Sequence, residues 1–405
     1  MDTADNNSRR IFWSLFLAVF SAMIGVGVIT PFLPLLGQKF GASATELGIL
    51  VSAFSVSRLF GMPVAGRLAD RYGRKRFIFA GLAGYTLLSF AYLASSSVWE
   101  FTVVRLLHGL AAALVVPLAM AVVADLAQPG KEGTQIGTFT VSIGAGWGLG
   151  PLMGGILLDR FGFSAAFYFM GALTGLALLL AVLFLPRTPS PVRDKPPVPY
   201  LEMLRHRQVR ALTWYRISSV TGRSLLIAFL PLYAITRIHL TPTETGIIIS
   251  AMVLLMSALQ PVFGRLADRT SRKNLMAASS VLGAATLAIV PLSGSFWPLL
   301  VSVIAFGFAN ELGSVSATAL VVVEGREFGM GSTIALFSTA LSAGMIVGPL
   351  IGGIGEDWLG PGASFWSASA VVLTGVLVSR HISDAPPLEA GLPAPIPTPV
   401  NQPEQ

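Results

Sequence analysis

Apolar stretches of roughly twenty residues recur along this chain, each long enough to cross about 30 Å of hydrocarbon as a helix rising 1.5 Å per residue. They fall near 11–36, 46–66, 77–95, 99–124, 135–158 and 164–186, then near 211–235, 245–264, 275–293, 297–322, 332–354 and 363–380. Short polar turns separate them. The pattern predicts an all-α membrane protein with twelve transmembrane helices.

The densest of the polar turns is Gly66-Arg67-Leu68-Ala69-Asp70-Arg71-Tyr72-Gly73-Arg74-Lys75-Arg76, and its wording returns at Gly264-Arg265-Leu266-Ala267-Asp268-Arg269. Gly264 follows Gly66 by 198 positions, and other residues keep that spacing. Glu46 matches Glu244, Pro63 matches Pro261, Asp159 matches Asp357 and Phe167 matches Phe365. The fifth span, Gly146-Trp147-Gly148-Leu149-Gly150-Pro151-Leu152-Met153-Gly154-Gly155, matches Gly344 to Gly353 in the eleventh. Parallel six-helix repeats are the arrangement with which secondary transporters build two halves around a midplane site. The expected organisation is a six-helix bundle over 1–186, a Pro-rich charged loop over 187–210, a second bundle over 211–381 and a disordered tail over 382–405. A short surface helix is expected around 200–206.

Composition agrees with the hydropathy. Hydrophobic residues make up 53% of the 405, charged residues only 12%, and mean hydropathy is +0.72, too apolar for a soluble domain of this length. Cysteine is absent, which excludes disulfides and thiolate chemistry. The formal net charge of +7 has a membrane explanation, because most basic residues fall in loops on one side, as the positive-inside rule requires of a cytoplasmic face. Lys39, Arg160 and Arg237 are the exceptions. Both termini are then expected in the cytoplasm of a multi-pass inner-membrane protein. Ser8-Arg9-Arg10 superficially resembles a twin-arginine export signal, but the apolar run behind it continues past Leu36 without a small-residue cleavage site.

These residues resemble the major facilitator superfamily over essentially the whole folded chain. The turn Gly66–Arg76 is similar to its signature between helices 2 and 3. The run Gly25-Val26-Gly27-Val28-Ile29-Thr30-Pro31 in helix 1 resembles the twelve-helix drug:proton antiporter branch. So does the glycine pattern of helix 5, with Ser142 where a first glycine is usual. Arg105-Leu106-Leu107-His108-Gly109 resembles a further family motif, with His in place of Gln. The resemblance implies two pseudo-symmetric six-helix bundles in the major facilitator fold. For this chain it implies a proton-coupled efflux antiporter with a place in drug resistance.

Several positions carry the expected mechanism. A carboxylate at Asp70, just past the end of helix 2, can meet the positive end of a neighbouring helix dipole, a contact worth up to about 2 kcal/mol when partly buried. By resemblance the neighbour is helix 11 near Gly331-Ser332, and the repeat would pair Asp268 with helix 5 near Gly133-Thr134. Gly66, Asp70, Arg71, Gly73, Arg74, Asp125, Asp268 and Arg269 are the expected latch, although the basic members could instead only fix topology. Gly146, Gly150, Gly154, Gly344, Gly348 and Gly352 recur every four residues. They are expected, with the bends at Pro151 and Pro349, to form a tight seam between the halves.

Charges inside the bilayer bear on cargo. Arg58, Arg105, Arg216 and Arg223 each cost about 2.5–3.5 kcal/mol on insertion scales, so they need a wet cavity or a partner. Arg216 and Arg223 lie on one helix face, and Arg105 shares a face with His108. Arg58 and Arg216 could alternatively snorkel to the cytoplasmic surface. The one clear mid-membrane carboxylate is Glu311, which could carry a proton or serve as permanent counter-ion to an arginine; His108 is the other titratable candidate.

The expectation is a secondary transporter that moves a small organic molecule, amphipathic or anionic, by alternating access. Its partners are substrate, protons and the lipid bilayer, with no cofactor and no nucleic acid, and it is expected to act as a monomer. Import of an anionic metabolite by symport or uniport is the alternative direction, and a transporter-like receptor the alternative class. Gly130-Lys131-Glu132 lacks the surroundings of a phosphate-cradling loop, and no catalytic cluster is visible.

Overall fold

The computed structural model describes residues 2–126, 132–185 and 199–383, and among them every regular element is helical. The first span is α1 (Asp2–Ile29), which continues through a 3₁₀ turn at Thr30–Phe32 into α2 (Leu33–Lys39). Pro31 and Pro34 account for the break, since each lacks the N–H that an unbroken ladder needs. The N-terminal half continues with α3 (Ala44–Tyr72), α4 (Arg74–Ala94), α5 (Val98–Asp125) and α6 (Glu132–Phe184). After α7 (Tyr200–Met203) come α8 (Arg207–Thr236), α9 (Pro242–Arg269), α10 (Arg272–Ile289), α11 (Phe296–Phe328), α12 (Met330–Leu359) and α13 (Ala363–Ser379).

Ten helical segments are long and apolar enough to cross a membrane, and one of them, within α6, is two spans. Gly162, at φ 78°, turns that helix back on itself in the left-handed region that favours glycine. Phe139 in its first arm lies 6.3 Å from Phe12, and Phe184 at the end of its second arm sits 5.1 Å beneath the Arg10 guanidinium, so both arms return to the same end of the molecule. With α13, shorter at 17 residues, the count among the described residues is twelve.

Capping chemistry starts the helices where the sequence repeats. Ser43 and Glu46 close a capping box on α3, and Thr241 and Glu244 close its counterpart on α9. Gly73, at φ 92°, ends α3 and lets α4 start at once, which makes the basic hairpin tight. The C-terminal set of spans begins at Arg207, four residues before the expected 211. Ile382, placed in the expected tail, is buried against Ala211 and Leu212. Residues 187–198 of the expected loop and 384–405 of the tail lie outside the described residues.

Apolar cores form within each half. One gathers Ile11, Leu15, Tyr85, Val115 and Phe139, and the other gathers Leu225, Phe229, Met252, Phe306 and Phe365. The halves meet where α3 packs on α12 and α6 packs on α9. Their close contacts lie toward the end opposite the basic hairpins. A Cβ at Gly48 would stand 2.3 Å from the Pro349 carbonyl oxygen, and one at Gly246 would stand 2.5 Å from that of Pro151. Ser52 Oγ donates to the Ile346 carbonyl at 2.8 Å, and the Leu152 N–H donates to Ser250 Oγ at 2.9 Å. Toward the basic end the packing loosens, and a Cβ at Gly66, Gly264 or Gly137 would meet nothing within 4 Å.

Candidate functional site

Each half holds a cluster of cations below its apolar walls. In the N-terminal half, α5 presents Arg105 and His108 three residues apart, on one face, toward α3 and α4. Both are almost fully buried, Arg105 at 2% exposure and His108 at 1%. The Arg105 guanidinium sits 4.9 Å over the Phe54 ring, a cation–π contact. Tyr92 Oη and His108 Nδ1 are 3.2 Å apart, and the Tyr85 ring meets the imidazole edge-on at 4.7 Å. Arg58, half-buried on α3, lies within electrostatic reach of Tyr85. Arg105 Nε and Nη1 and His108 Nε2 have no hydrogen-bond partner.

The sequence pairing of Arg105 with His108 therefore corresponds to one cluster, which Arg58 joins. Arg105 is enclosed by aromatic rings and does not open onto solvent. Tyr85, Tyr92 and Phe54 were not singled out from sequence. The signal available for the tyrosines was their spacing of seven, which puts them on one face of α4 inside an otherwise apolar run.

The C-terminal half repeats the layout with different chemistry. Arg216 and Arg223, both half-buried on α8, face Glu311 on α11, whose side chain is 4% exposed. Arg216 Nη1 donates to Ser314 Oγ at 2.6 Å, and its guanidinium lies 4.8 Å over Phe337 of α12. This anchorage takes Arg216 into the bundle instead of out to the surface. Glu311 is close enough for its charge to act on both arginines, yet it makes no direct ion pair with either among the described residues. Asn310, the residue before Glu311, donates through Nδ2 to Ser219 Oγ at 2.9 Å and to the Ser219 carbonyl at 3.1 Å, tying α11 to α8.

The expected latch residues are placed within their own hairpins. Asp70 Oδ1 lies 3.5 Å from Arg74 Nη2, and the same guanidinium is bonded to Asp125. Arg74, only 7% exposed, thus ties the ends of α3 and α5 together. Asp268 Oδ1 lies 3.3 Å from Arg272 Nη2. The Arg71 guanidinium covers the Tyr72 ring at 5.3 Å, and Arg269 is exposed. Among the described residues the contacts of these two carboxylates lie within their own halves, and part of the expected partner regions on helices 5 and 11 lies outside the described residues.

The glycines expected at the seam meet neighbours in their own halves. A Cβ at Gly146 would stand 2.6 Å from Met23, and one at Gly150 would stand 2.6 Å from Gly27 Cα. At Gly154 the clash is with the Val28 carbonyl at 2.1 Å. All three neighbours are on α1, in the same half. Gly344, Gly348 and Gly352 likewise press on Val220, Ser224 and Phe229 of α8. The six glycines seat α6 and α12 within their own bundles. The surface between the halves is a second face of the same helices, containing the Pro151 and Pro349 carbonyls with Gly148, Gly155 and Gly353. Gly155 abuts the Pro242 carbonyl at 2.3 Å and Gly353 abuts that of Ala44 at 2.2 Å. At 3.6 residues per turn, adjacent positions such as Gly154 and Gly155 point about 100° apart, so one motif serves two neighbours.

Comparison with known proteins adds to this geometry. The family profile described as Major Facilitator Superfamily matches residues 15–222 and 212–401. The chain is 28% identical to an uncharacterized MFS-type transporter of Methanocaldococcus jannaschii over 372 residues, covering 90% of this chain and 96% of that one. It is 27% identical to multidrug resistance protein 2 of Bacillus subtilis over 368 residues, covering 87% and 90%. Among solved structures, a bacterial homologue of the human lysosomal transporter Spinster, in an inward-facing and occupied conformation, superposes with a TM-score of 0.75 at 17% identity. That match covers 92% of this chain and 95% of the other.

Proposed function

The chain belongs to the Major Facilitator Superfamily, and from that membership we propose that it exports small amphipathic organic anions in exchange for protons by alternating access. Membrane transport follows from the family; cargo, direction and coupling are the proposal.

The observation that carries the cargo is the excess of guanidinium, buried at Arg105 and half-buried at the other three, over carboxylate. Arg58, Arg105, Arg216 and Arg223 stand against Glu311 in the two clusters, and Arg105 keeps two nitrogens without partners. A cation left uncompensated in a low-dielectric interior favours an arriving negative charge. The aromatic rings of Phe54, Tyr85, Tyr92 and Phe337 beside these cations suit the apolar body of an amphipathic compound. Relatedness to multidrug resistance protein 2 favours outward movement.

Glu311 is assigned the coupling proton. A permanent counter-ion gains most by pressing against one guanidinium, whereas Glu311 is buried without a direct ion pair. Its charge can then alternate between compensating Arg216 and Arg223 and yielding them to substrate.

With the basic hairpins in the cytoplasm, the close-packed end is the outer one and the looser end faces inward. In this state the proposed cytoplasmic latch at Asp70 and Asp268 is open, which accords with the contacts of both carboxylates, among the described residues, lying within their own hairpins and halves. The test is flux in liposomes containing purified protein. An anionic substrate should move against its gradient when a pH gradient is imposed and stop when the gradient is collapsed. Movement indifferent to the pH gradient would overturn proton coupling.

A further inference from the structure

At the end of the molecule opposite the basic hairpins, one carboxylate reaches across the halves. The Asp357 side chain, at the close of α12, accepts the Ala44 N–H at 3.0 Å and the Thr45 N–H at 2.8 Å, and the Thr45 hydroxyl at 2.6 Å. Ala44 and Thr45 are the first two residues of α3, whose amides have no carbonyl within the helix to bond. Ser43 and Glu46 already satisfy the rest of that helix start through their capping box. Asp357 therefore completes, from the other half, a cap that α3 cannot finish alone, and its negative charge lies at the positive end of the α3 dipole.

The repeat supplies a weaker counterpart. Asp159, the equivalent of Asp357, accepts one hydrogen bond, from the Thr243 hydroxyl of α9 at 2.8 Å. Proline explains part of the difference. Pro242 occupies the position equivalent to Ala44 and has no N–H to give. The glycines beneath both contacts, Gly353 against Ala44 and Gly155 against Pro242, allow the backbones to come close enough for these bonds.

We infer that Asp357 is the principal clasp holding this end of the transporter shut, with Asp159 the lesser one, and that both contacts must break when the molecule opens at this end. The clasp is a contact between halves that bears on the conformational equilibrium and not on cargo, so its test requires no substrate. The chain contains no cysteine, so paired labels can be placed freely. Trp99 and Trp297, at 59% and 71% exposure, start α5 and α11 at this end, in opposite halves, and suit spin labels after Trp99→Cys and Trp297→Cys.

In that background Asp357→Asn keeps the shape but removes the charge and one acceptor. Because hydrogen bonds to charged groups are the stronger ones, the ratio of long to short label separations should rise about tenfold. Asp159→Asn should raise it by about threefold or less, having one bond to lose. Thr45→Val removes only the hydroxyl bond. It should shift the ratio in the same direction by a smaller factor, and it serves as the readout should Asp357→Asn fail to accumulate. Unchanged separations in Asp357→Asn and Thr45→Val would overturn the clasp, as would an Asp159→Asn effect larger than that of Asp357→Asn.

Discussion

In the N-terminal half, Arg105 and His108 are walled by Phe54, Tyr85 and Tyr92, Arg58 stands by, and the cluster contains no carboxylate. In the C-terminal half, Arg216 and Arg223 share Glu311, and Arg216 is further held by Ser314 and Phe337. The scaffold around both is the same: a glycine face seats α6 on α1 and α12 on α8, and capping boxes start α3 and α9. Duplication thus preserved what holds helices together, while the residues that meet charge diverged. On the proposed mechanism the C-terminal half handles both the proton, at Glu311, and the anion, at Arg223, while the N-terminal half adds positive charge that no carboxylate in its cluster offsets. The ratio of their effects can be measured.

Glu311→Gln should show the largest effect, because it removes the proposed proton site and leaves Arg216 and Arg223 without compensation. Transport driven by a pH gradient in liposomes should fall about a hundredfold, equivalent to about 2.7 kcal/mol on the barrier. A loss of less than about threefold would remove Glu311 from the mechanism.

Gly150→Val would force a branched side chain into the Gly27 backbone of α1, where a Cβ alone already stands 2.6 Å from Gly27 Cα. It should cost about 1–3 kcal/mol of stability, read as a lower unfolding temperature in detergent. Gly155→Val meets the other half at the Pro242 carbonyl and should instead shift the equilibrium toward opening at that end, with less loss of stability. Similar thermal losses for the two would contradict the assignment of the two faces.

Arg223→Gln should raise the apparent KM for an anionic substrate about tenfold, corresponding to about 1.4 kcal/mol. Arg58→Gln, on the side of the N-terminal cluster nearer the basic hairpin and only half-buried, should raise it less than about threefold. Equal effects would remove the functional difference between the halves.

Asp70→Asn should have the smallest effect on stability. Asp70 is half exposed and buried Arg74 keeps its bond to Asp125, so losing the long contact at Asp70 should cost about 0–1 kcal/mol and hardly move the unfolding temperature. Cysteine accessibility at the end bearing the basic hairpins should nevertheless rise, because the proposed closed latch would lose its charge. Unchanged accessibility with normal transport would remove Asp70 from gating.

The fold was legible because its determinants are periodic. Apolar run length gives the spans, and the spacing of 198 residues gives the two halves. The partner of each surface was less legible. Gly146, Gly150 and Gly154 announce close helix approach, but a spacing of four does not say which helix approaches, and α1 competes with α9 for the same motif. Gly155 and Gly353, one residue past the periodic set, carry the contact between halves. Asp357 was visible as the repeat of Asp159, but its role depends on reaching a helix start some 312 residues away, which no local pattern encodes. The cations were legible from their cost in hydrocarbon, whereas their aromatic walls were hidden among ordinary apolar positions.

The central claim is that the buried cation excess selects anionic cargo for proton-driven export. Its most direct test is accumulation in inside-out vesicles, acidified inside by a pH jump, across matched anionic, neutral and cationic amphipathic compounds. The account predicts that the anionic compounds accumulate, that collapse of the pH gradient releases them, and that Arg223→Gln selectively weakens their uptake. Accumulation of cations alone, with anions excluded, would contradict it and make Glu311 the residue that meets the cargo.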